Sequence, residues 1–366
     1  MSGKQEMEFY RLDAILKEKA QYNMIIGERS NGKTYAALEY MLKNYWNKKK
    51  KGAYIRRWKE DYRGKRGGQL FAGHGEFIKE MTKGEYDQVS YYNGKWYLAK
   101  MDSQLNKVIR SDEAFCYAFA INDMEHDKSA SYPDVTTVVF DEFLTRTYYL
   151  KNEFVLFMNV LSTIIRYRDD VKIFMLANTV NKYAPYFKEM GLKNVPEMLP
   201  GTIEVYTYGK SKLRVAVERC KSTNEKAKKS NTYFAFDNPG LQMITGGAWE
   251  IDLYPHLMTE YTRKDIMFTY FISFEDKLLQ CEMIFKDGCQ FTYIHRKTSP
   301  LKDPDRDVLF SPEYDPRPNH IRNLRKPTTE WARKIAEDYR REKIFYQDNE
   351  VGEIVRNYLM FCMKEA

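Results

Sequence analysis

Cysteine is scarce in this chain and poorly placed for chemistry. Five occur in 366 residues: Cys116, Cys220, Cys281, Cys289 and Cys362. They are scattered, odd in number and form no CxxC pair, which excludes a disulfide framework and a zinc site. The five histidines, His74, His126, His256, His295 and His320, are equally dispersed. No apolar run approaches the roughly 18 residues of a membrane span, so no membrane partner is expected. The N-terminus is polar and mixed in charge, without an apolar signal core. A reducing cytoplasm is the expected compartment.

What is present is the composition of a globular protein, 43% apolar and 30% charged. The length has room for two domains. A formal net charge of +8 permits a polyanionic partner without requiring one.

Apolar runs and breakers give the organisation. A helix is expected within residues 1–21, then a buried strand at 22–27 (YNMIIG), a helix at 33–47 and a strand at 53–57. Asn93-Gly94 between aromatic flanks marks a hairpin over 88–99, since both residues tolerate positive φ. Residues 135–141 (VTTVVFD) and 171–178 (VKIFMLAN) read as buried strands flanking a helix at 151–166. Further strands are expected at 201–208 and 213–220. Alternating helices and strands imply a mostly parallel sheet. Residues 221–247 are polar and Lys-rich and read as a linker or lid. Strands follow at 266–274, 278–286 and 289–296. A Pro- and Asp-rich surface stretch covers 299–327. A helix over 328–346, capped by Thr328 or Thr329, and a last helix close the chain. The division is therefore 1–220, a linker, and 248–366.

Gly27-Glu28-Arg29-Ser30-Asn31-Gly32-Lys33-Thr34 matches GxxxxGK[ST] between an apolar strand and a helix. The glycines let backbone N–H groups curl around phosphate oxygens. Lys33 reaches the β- and γ-phosphates of ATP, and the Thr34 hydroxyl can ligate Mg²⁺. Arg29 adds an unusual charge inside the loop, as a γ-phosphate sensor or a solvent-facing side chain.

A phosphate loop needs a second metal ligand. Asp141 emerges at the end of the strand VVFD, as a Walker B carboxylate does. Glu142 follows and is free to polarise water, which points to hydrolysis. About a hundred residues separate the two motifs, enough for an additional strand. That fits the additional-strand ATPases, a RecA-like parallel sheet of order 5-1-4-3-2. The strand 171–178 then lies between the two motif strands, with Asn178 as a γ-phosphate sensor. Arg146, Arg166 and Arg168 could each complete a neighbour's site as an arginine finger; Arg146 is preferred.

The combination of GERSNGKTY, AYIRRWKEDY, VVFDEFLTR and IIRYRDDVKIFMLANTVN resembles the DNA-encapsidation ATPases of small protein-primed tailed phages, over roughly residues 20–210. The resemblance implies a homo-oligomeric ring, of five subunits, docked on the portal of an empty capsid in the host cytoplasm. It implies ATP-driven translocation of double-stranded DNA and, in relatives, a structural RNA at the capsid. It assigns the trans finger to Arg146. It also implies a C-terminal domain like RNase H that has lost its catalytic acids. Strand 266–274 indeed contains no acid, and only Glu282 and Asp287 lie in or beside 278–286. An intact terminase with an active nuclease, a nucleotide kinase and a regulatory P-loop protein are the competing readings.

Residues 48–66 interleave Lys48, Lys49, Lys50, Lys51, Arg56, Arg57, Lys59, Arg63, Lys65 and Arg66 with Tyr54, Trp58 and Tyr62. Such a cluster can neutralise phosphates without reading sequence. Arg56 and Arg57 end a strand on the nucleotide side and could serve ATP instead. Lys95 at the hairpin and Lys128 before the Walker B strand are further DNA candidates.

Overall fold

The computed structural model describes residues 9–102, 104, 106–126, 131–147, 149–221 and 249–364. The chain divides into two compact units, Met1–Glu250 and Ile251–Ala366.

In the first unit, ten strands form one sheet. They are β1 Tyr22–Gly27, β2 Lys51–Arg56, β3 Gln88–Tyr92, β4 Lys95–Asp102, β5 Lys107–Arg110, β6 Cys116–Ala120, β7 Val135–Asp141, β8 Lys172–Asn178, β9 Thr202–Tyr208 and β10 Leu213–Arg219. Their order is β3-β4-β6-β2-β7-β8-β1-β10-β9, with β5 on β4. From β6 to β10 every neighbouring pair is parallel. Counting β1, β2, β7, β8 and β10 as one to five reproduces the expected order 5-1-4-3-2.

Parallel strands carry helices on both faces, so their residues are apolar on both. Met24 and Ile26 of β1 pack on one face with Val138, Phe140 and the helix Glu153–Ile165. Ile25 and Val139 pack on the other with Ala37, Leu38, Met41 and Leu42 of the helix Lys33–Lys48. A Cβ on Gly52 would lie 2.2 Å from the Met41 sulfur, so glycine here leaves room for the buried Met41 side chain of this helix against β2. In register, Gly27 faces Asn178, and Asp141 faces Leu176. Parallel pairing thus delivers the ends of β1, β7 and β8 to one edge of the sheet.

Several elements differ from expectation. Among the described residues the N-terminal helix is Asp13–Lys17, and its C-terminal end comes early because Lys19 turns left-handed at φ 52°. The hairpin β3–β4 forms with Asn93 and Gly94 at φ 47° and 73°. Strands β5 and β6 were not anticipated. Apart from Lys221, the expected linker lies outside the described residues. Trp249 belongs to the first unit's core, and the Glu250 amide donates to the Thr179 carbonyl at 2.9 Å.

The second unit has a six-stranded sheet. Its strands are β11 Ile266–Phe274, β12 Lys277–Lys286, β13 Cys289–Arg296, β14 Leu309–Phe310, β15 His320–Ile321 and β16 Ile344–Tyr346. The order is β15-β14-β11-β12-β13-β16. An antiparallel meander, β11–β13, is flanked by parallel additions on both sides. This mixed arrangement is that of an RNase H-like sheet. The stretch 299–327 is not all surface: it contributes β14 and β15 and buries Phe310 and Leu324. The helix expected over 328–346 is Glu330–Arg340, capped by the Thr329 hydroxyl. It stops early because Glu342 turns left-handed and the chain then enters β16.

Candidate nucleotide site

The loop between β1 and the helix Lys33–Lys48 has the curl its glycines suggest. Ser30 and Gly32 take positive φ, 60° and 92°, and Gly32 caps the helix. The first amides of a helix lack intrahelical acceptors and suit an anion. Lys33 is buried, and its ammonium donates to the Glu28 carbonyl at 2.8 Å and to Asn178 Oδ1 at 2.7 Å. Burial lowers its pKa, the expected response of a desolvated amine. Asn31 Oδ1 accepts from the Lys33 amide at 3.2 Å, bracing the loop. Asn178, expected as a sensor, therefore meets the phosphate-loop lysine directly.

Thr34 Oγ1 lies 3.4 and 3.3 Å from the two Asp141 oxygens. Two oxygen ligands of one small cation sit about this far apart. Burial raises the Asp141 carboxyl above its ordinary value, and Arg56 and a hydrogen bond from Tyr54 offset that rise only in part. A buried carboxylate beside a hydroxyl suits a divalent cation, and these two residues are the ones that fit it. The Tyr54 hydroxyl donates to Asp141 Oδ2 at 2.7 Å.

Glu142 sits at φ 57°, a region that non-glycine residues occupy at a cost. Two arginines hold it there. Arg56 Nη2 donates to its carboxylate at 2.7 Å. Arg57 donates to the carbonyls of Glu142 at 3.2 Å and Phe143 at 2.8 Å. Arg57 is itself buried and doubly bonded to Glu153 at 2.8 and 2.9 Å.

Of these groups, Asn31, Lys33, Thr34, Asp141, Glu142 and Asn178 border one cleft of about 630 Å³. Its wall runs from Arg29 to Tyr35, includes Asp141, Glu142 and Leu144 to Thr147, and closes with Ala177, Asn178 and Val180. Arg146 lines this same cleft, donating to the carbonyls of Val180 at 3.2 Å and Glu250 at 2.5 Å. Arg29 is not simply solvent-facing, because it pairs with Glu250 at 3.2 Å. Arg168 caps the helix Glu153–Ile165, donating to the carbonyls of Ile164 and Ile165 and to those of Tyr132 and Pro133. Arg166 follows the same helix end, at φ 51°.

The basic cluster does not form one surface. Lys48, Lys49 and Lys51 lie where β2 begins, and Arg56 and Arg57 where it ends, at opposite edges of the sheet. Lys48 and Lys49 are exposed. Lys51 is paired with Glu113 at 3.1 Å and lies 4.0 Å from Asp134. Arg57 as a DNA contact is corrected, because its guanidinium is buried and committed. Arg56 belongs to the Glu142 cluster. Lys95 is exposed with its ammonium over the Tyr117 ring. Lys128 lies outside the described residues.

In the second unit Glu282 is buried and serves the meander. It accepts from Tyr261 and from Gln280 at 2.6 Å and lies 3.6 Å from His295. Burial works against its charge, but these hydrogen bonds prevail and hold it down to about 2.

A phosphate loop on a 5-1-4-3-2 sheet, with Thr34 facing Asp141, defines a P-loop nucleotide-binding protein of the additional-strand class. The chain belongs to the podovirus DNA encapsidation protein (Gp16) family, whose model matches residues 5–235. The DNA packaging protein of Bacillus phage B103 is 28% identical over 179 residues, 48% of this chain and 49% of that protein. That of Bacillus phage phi29 is 26% identical over 182 residues, 49% of each. These matches span about half the length of the curated relatives. Among solved structures, the Phi-28 gp11 DNA packaging motor aligns over 98% of this chain and 99% of that one, at TM-score 0.53 and 17% identity. The bacteriophage Phi-29 genome packaging motor assembly has the same coverage, at TM-score 0.52 and 17% identity. At such identity these two structures speak for the fold.

Proposed function

We propose that this chain hydrolyses ATP to drive double-stranded DNA into a preformed capsid, as one subunit of a ring at the portal. The observation that carries the reading is the meeting of Lys33, Thr34, Asp141, Glu142 and Asn178 in one cleft, in a chain of the encapsidation family. The ring, its five subunits, the portal contact and a capsid-bound structural RNA rest on the family resemblance.

In this mechanism the loop amides and Lys33 hold the β- and γ-phosphates. Thr34 and Asp141 would hold Mg²⁺, which would supply positive charge to neutralise the phosphates. Asn178 orients the Lys33 ammonium toward the γ-phosphate. Glu142 takes a proton from water as that water's oxygen attacks the γ-phosphorus and ADP leaves. To do so its carboxylate must leave Arg56, so the arrangement at hand is a resting one. Arg146 supplies positive charge to the transferring phosphoryl group of a neighbouring subunit.

The test is ATP turnover with and without double-stranded DNA. DNA should stimulate turnover, and Lys33→Ala and Glu142→Gln should each abolish it. DNA-independent turnover, or Glu142→Gln protein as active as the parent, would remove the translocase reading.

A further inference from the structure

Tyr35 follows the phosphate loop immediately, lines the cleft and is 41% exposed. The ring stacks on His74, with centroids 4.0 Å apart and planes 12° from parallel. His74 is 2% exposed and cannot swing away. Its Nε2 lies 3.3 Å from the Tyr35 carbonyl, which can only accept, so Nε2 carries the proton. Its Nδ1 is buried without a partner. Burial lowers its pKa, keeping the imidazole neutral.

The support continues inward. His74 leans on Phe71, and Phe71 on Trp96 and Phe115, both buried in the core of the unit. One face of Tyr35 is therefore covered by a fixed aromatic stack, while the residue lines the cleft and stays 41% exposed. A flat, pre-oriented π-surface loses little conformational entropy when a second ring lies on it.

We propose that Tyr35 is the platform on which the base of the bound nucleoside triphosphate stacks. The proposal rests on the reading of the cleft as a triphosphate site. The loop holds phosphates and has no group for a base, whereas the residue directly after Thr34 presents a ring. Stacking recognises a π-face and not a hydrogen-bonding edge. The site should therefore accept ATP and GTP comparably and hold the smaller pyrimidine rings less well.

The experiment is calorimetric titration of the full chain with ATP and, separately, with inorganic triphosphate, which has phosphates and no base. Glu142→Gln protein is used so that ATP is not consumed. Tyr35→Ala should weaken ATP binding about 5- to 150-fold, the range for losing one base–aromatic stack. Triphosphate binding should be unchanged, and Tyr35→Phe should bind ATP as the parent does. Equal weakening of ATP and triphosphate would make Tyr35 a brace for the loop and overturn the proposal. So would Tyr35→Ala protein that binds ATP normally. If the parent binds neither compound, the phosphate cradle itself is wrong and the platform falls with it.

Discussion

Asp141 shares its buried site with Thr34, Tyr54 and Arg56, and that environment decides when it can hold a cation. Burial places its folded-state pKa above the ordinary carboxylate value. As pH rises from the unfolded value through the folded one, the folded chain gives up a proton at a desolvated site and its own stability falls. A divalent cation binds only the ionised form, so the stabilisation it gives grows across the same window. Tyr54 donates to that ionised form. Tyr54→Phe should move the window to higher pH and weaken Mg²⁺-nucleotide binding at neutral pH by about tenfold, the scale of one hydrogen bond to a charged group. Melting temperatures with and without Mg²⁺-ADP, followed from about pH 4 to 8, read this directly. Coincident profiles for the two proteins would rule Tyr54 out as a tuning group. Tyr54 was legible in the sequence only as an aromatic within a basic cluster. The residues from Gly27 to Thr34 were readable because one short stretch of backbone builds their chemistry. Asp141 bonds Tyr54 across 87 positions and Tyr35 bonds His74 across 39, and no local pattern announces such pairs.

At the scale of elements, the turn after β7 is held by the arginine that follows β2 and the first residue of the helix Glu153–Ile165. Arg57 and Glu153 form a pair with side chains 6% and 0% exposed. Tyr186 donates to Glu153 at 2.7 Å, and so does the Leu150 amide. Breaking a buried pair from one side leaves an uncompensated charge, so Arg57→Ala or Glu153→Ala should each cost about 3–5 kcal/mol. Replacing both with apolar residues of similar volume should cost much less than the sum of the two. Urea unfolding of the two single variants and the double variant measures this; strictly additive losses would mean the pair is not coupled. The buried strands β1, β7 and β8 were readable because continuous apolar runs suit a sheet covered on both faces. Strand β5 was not, having four exposed residues and no alternation to signal it. Strands β14 and β15 were hidden for another reason: each is two residues long and forms only beside a partner from elsewhere in the chain. The helix starting at Glu330 could be placed from its cap, but its end depends on the left-handed turn at Glu342, which no glycine marks.

For the whole molecule, the decisive question is which chain's nucleotide Arg146 serves. It lies four residues beyond Glu142, in the wall of its own cleft, bonded to the carbonyls of Val180 and Glu250. An arginine finger is worth about 10³- to 10⁵-fold in turnover, so Arg146→Ala alone should be inactive whichever chain it serves. Mixing separates the two cases. Lys33→Ala subunits cannot hold phosphates but still carry Arg146, and Arg146→Ala subunits keep an intact phosphate loop. If the arginine acts on a neighbour, rings assembled from both dead proteins contain interfaces where an intact loop meets a donated arginine, and turnover returns in proportion to them. If it acts within its own chain, every subunit carries one broken site and the mixture stays inactive at all ratios. Recovery of ATP hydrolysis on mixing is the expected result, and its absence in co-assembled rings would reassign Arg146 to the chain that carries it.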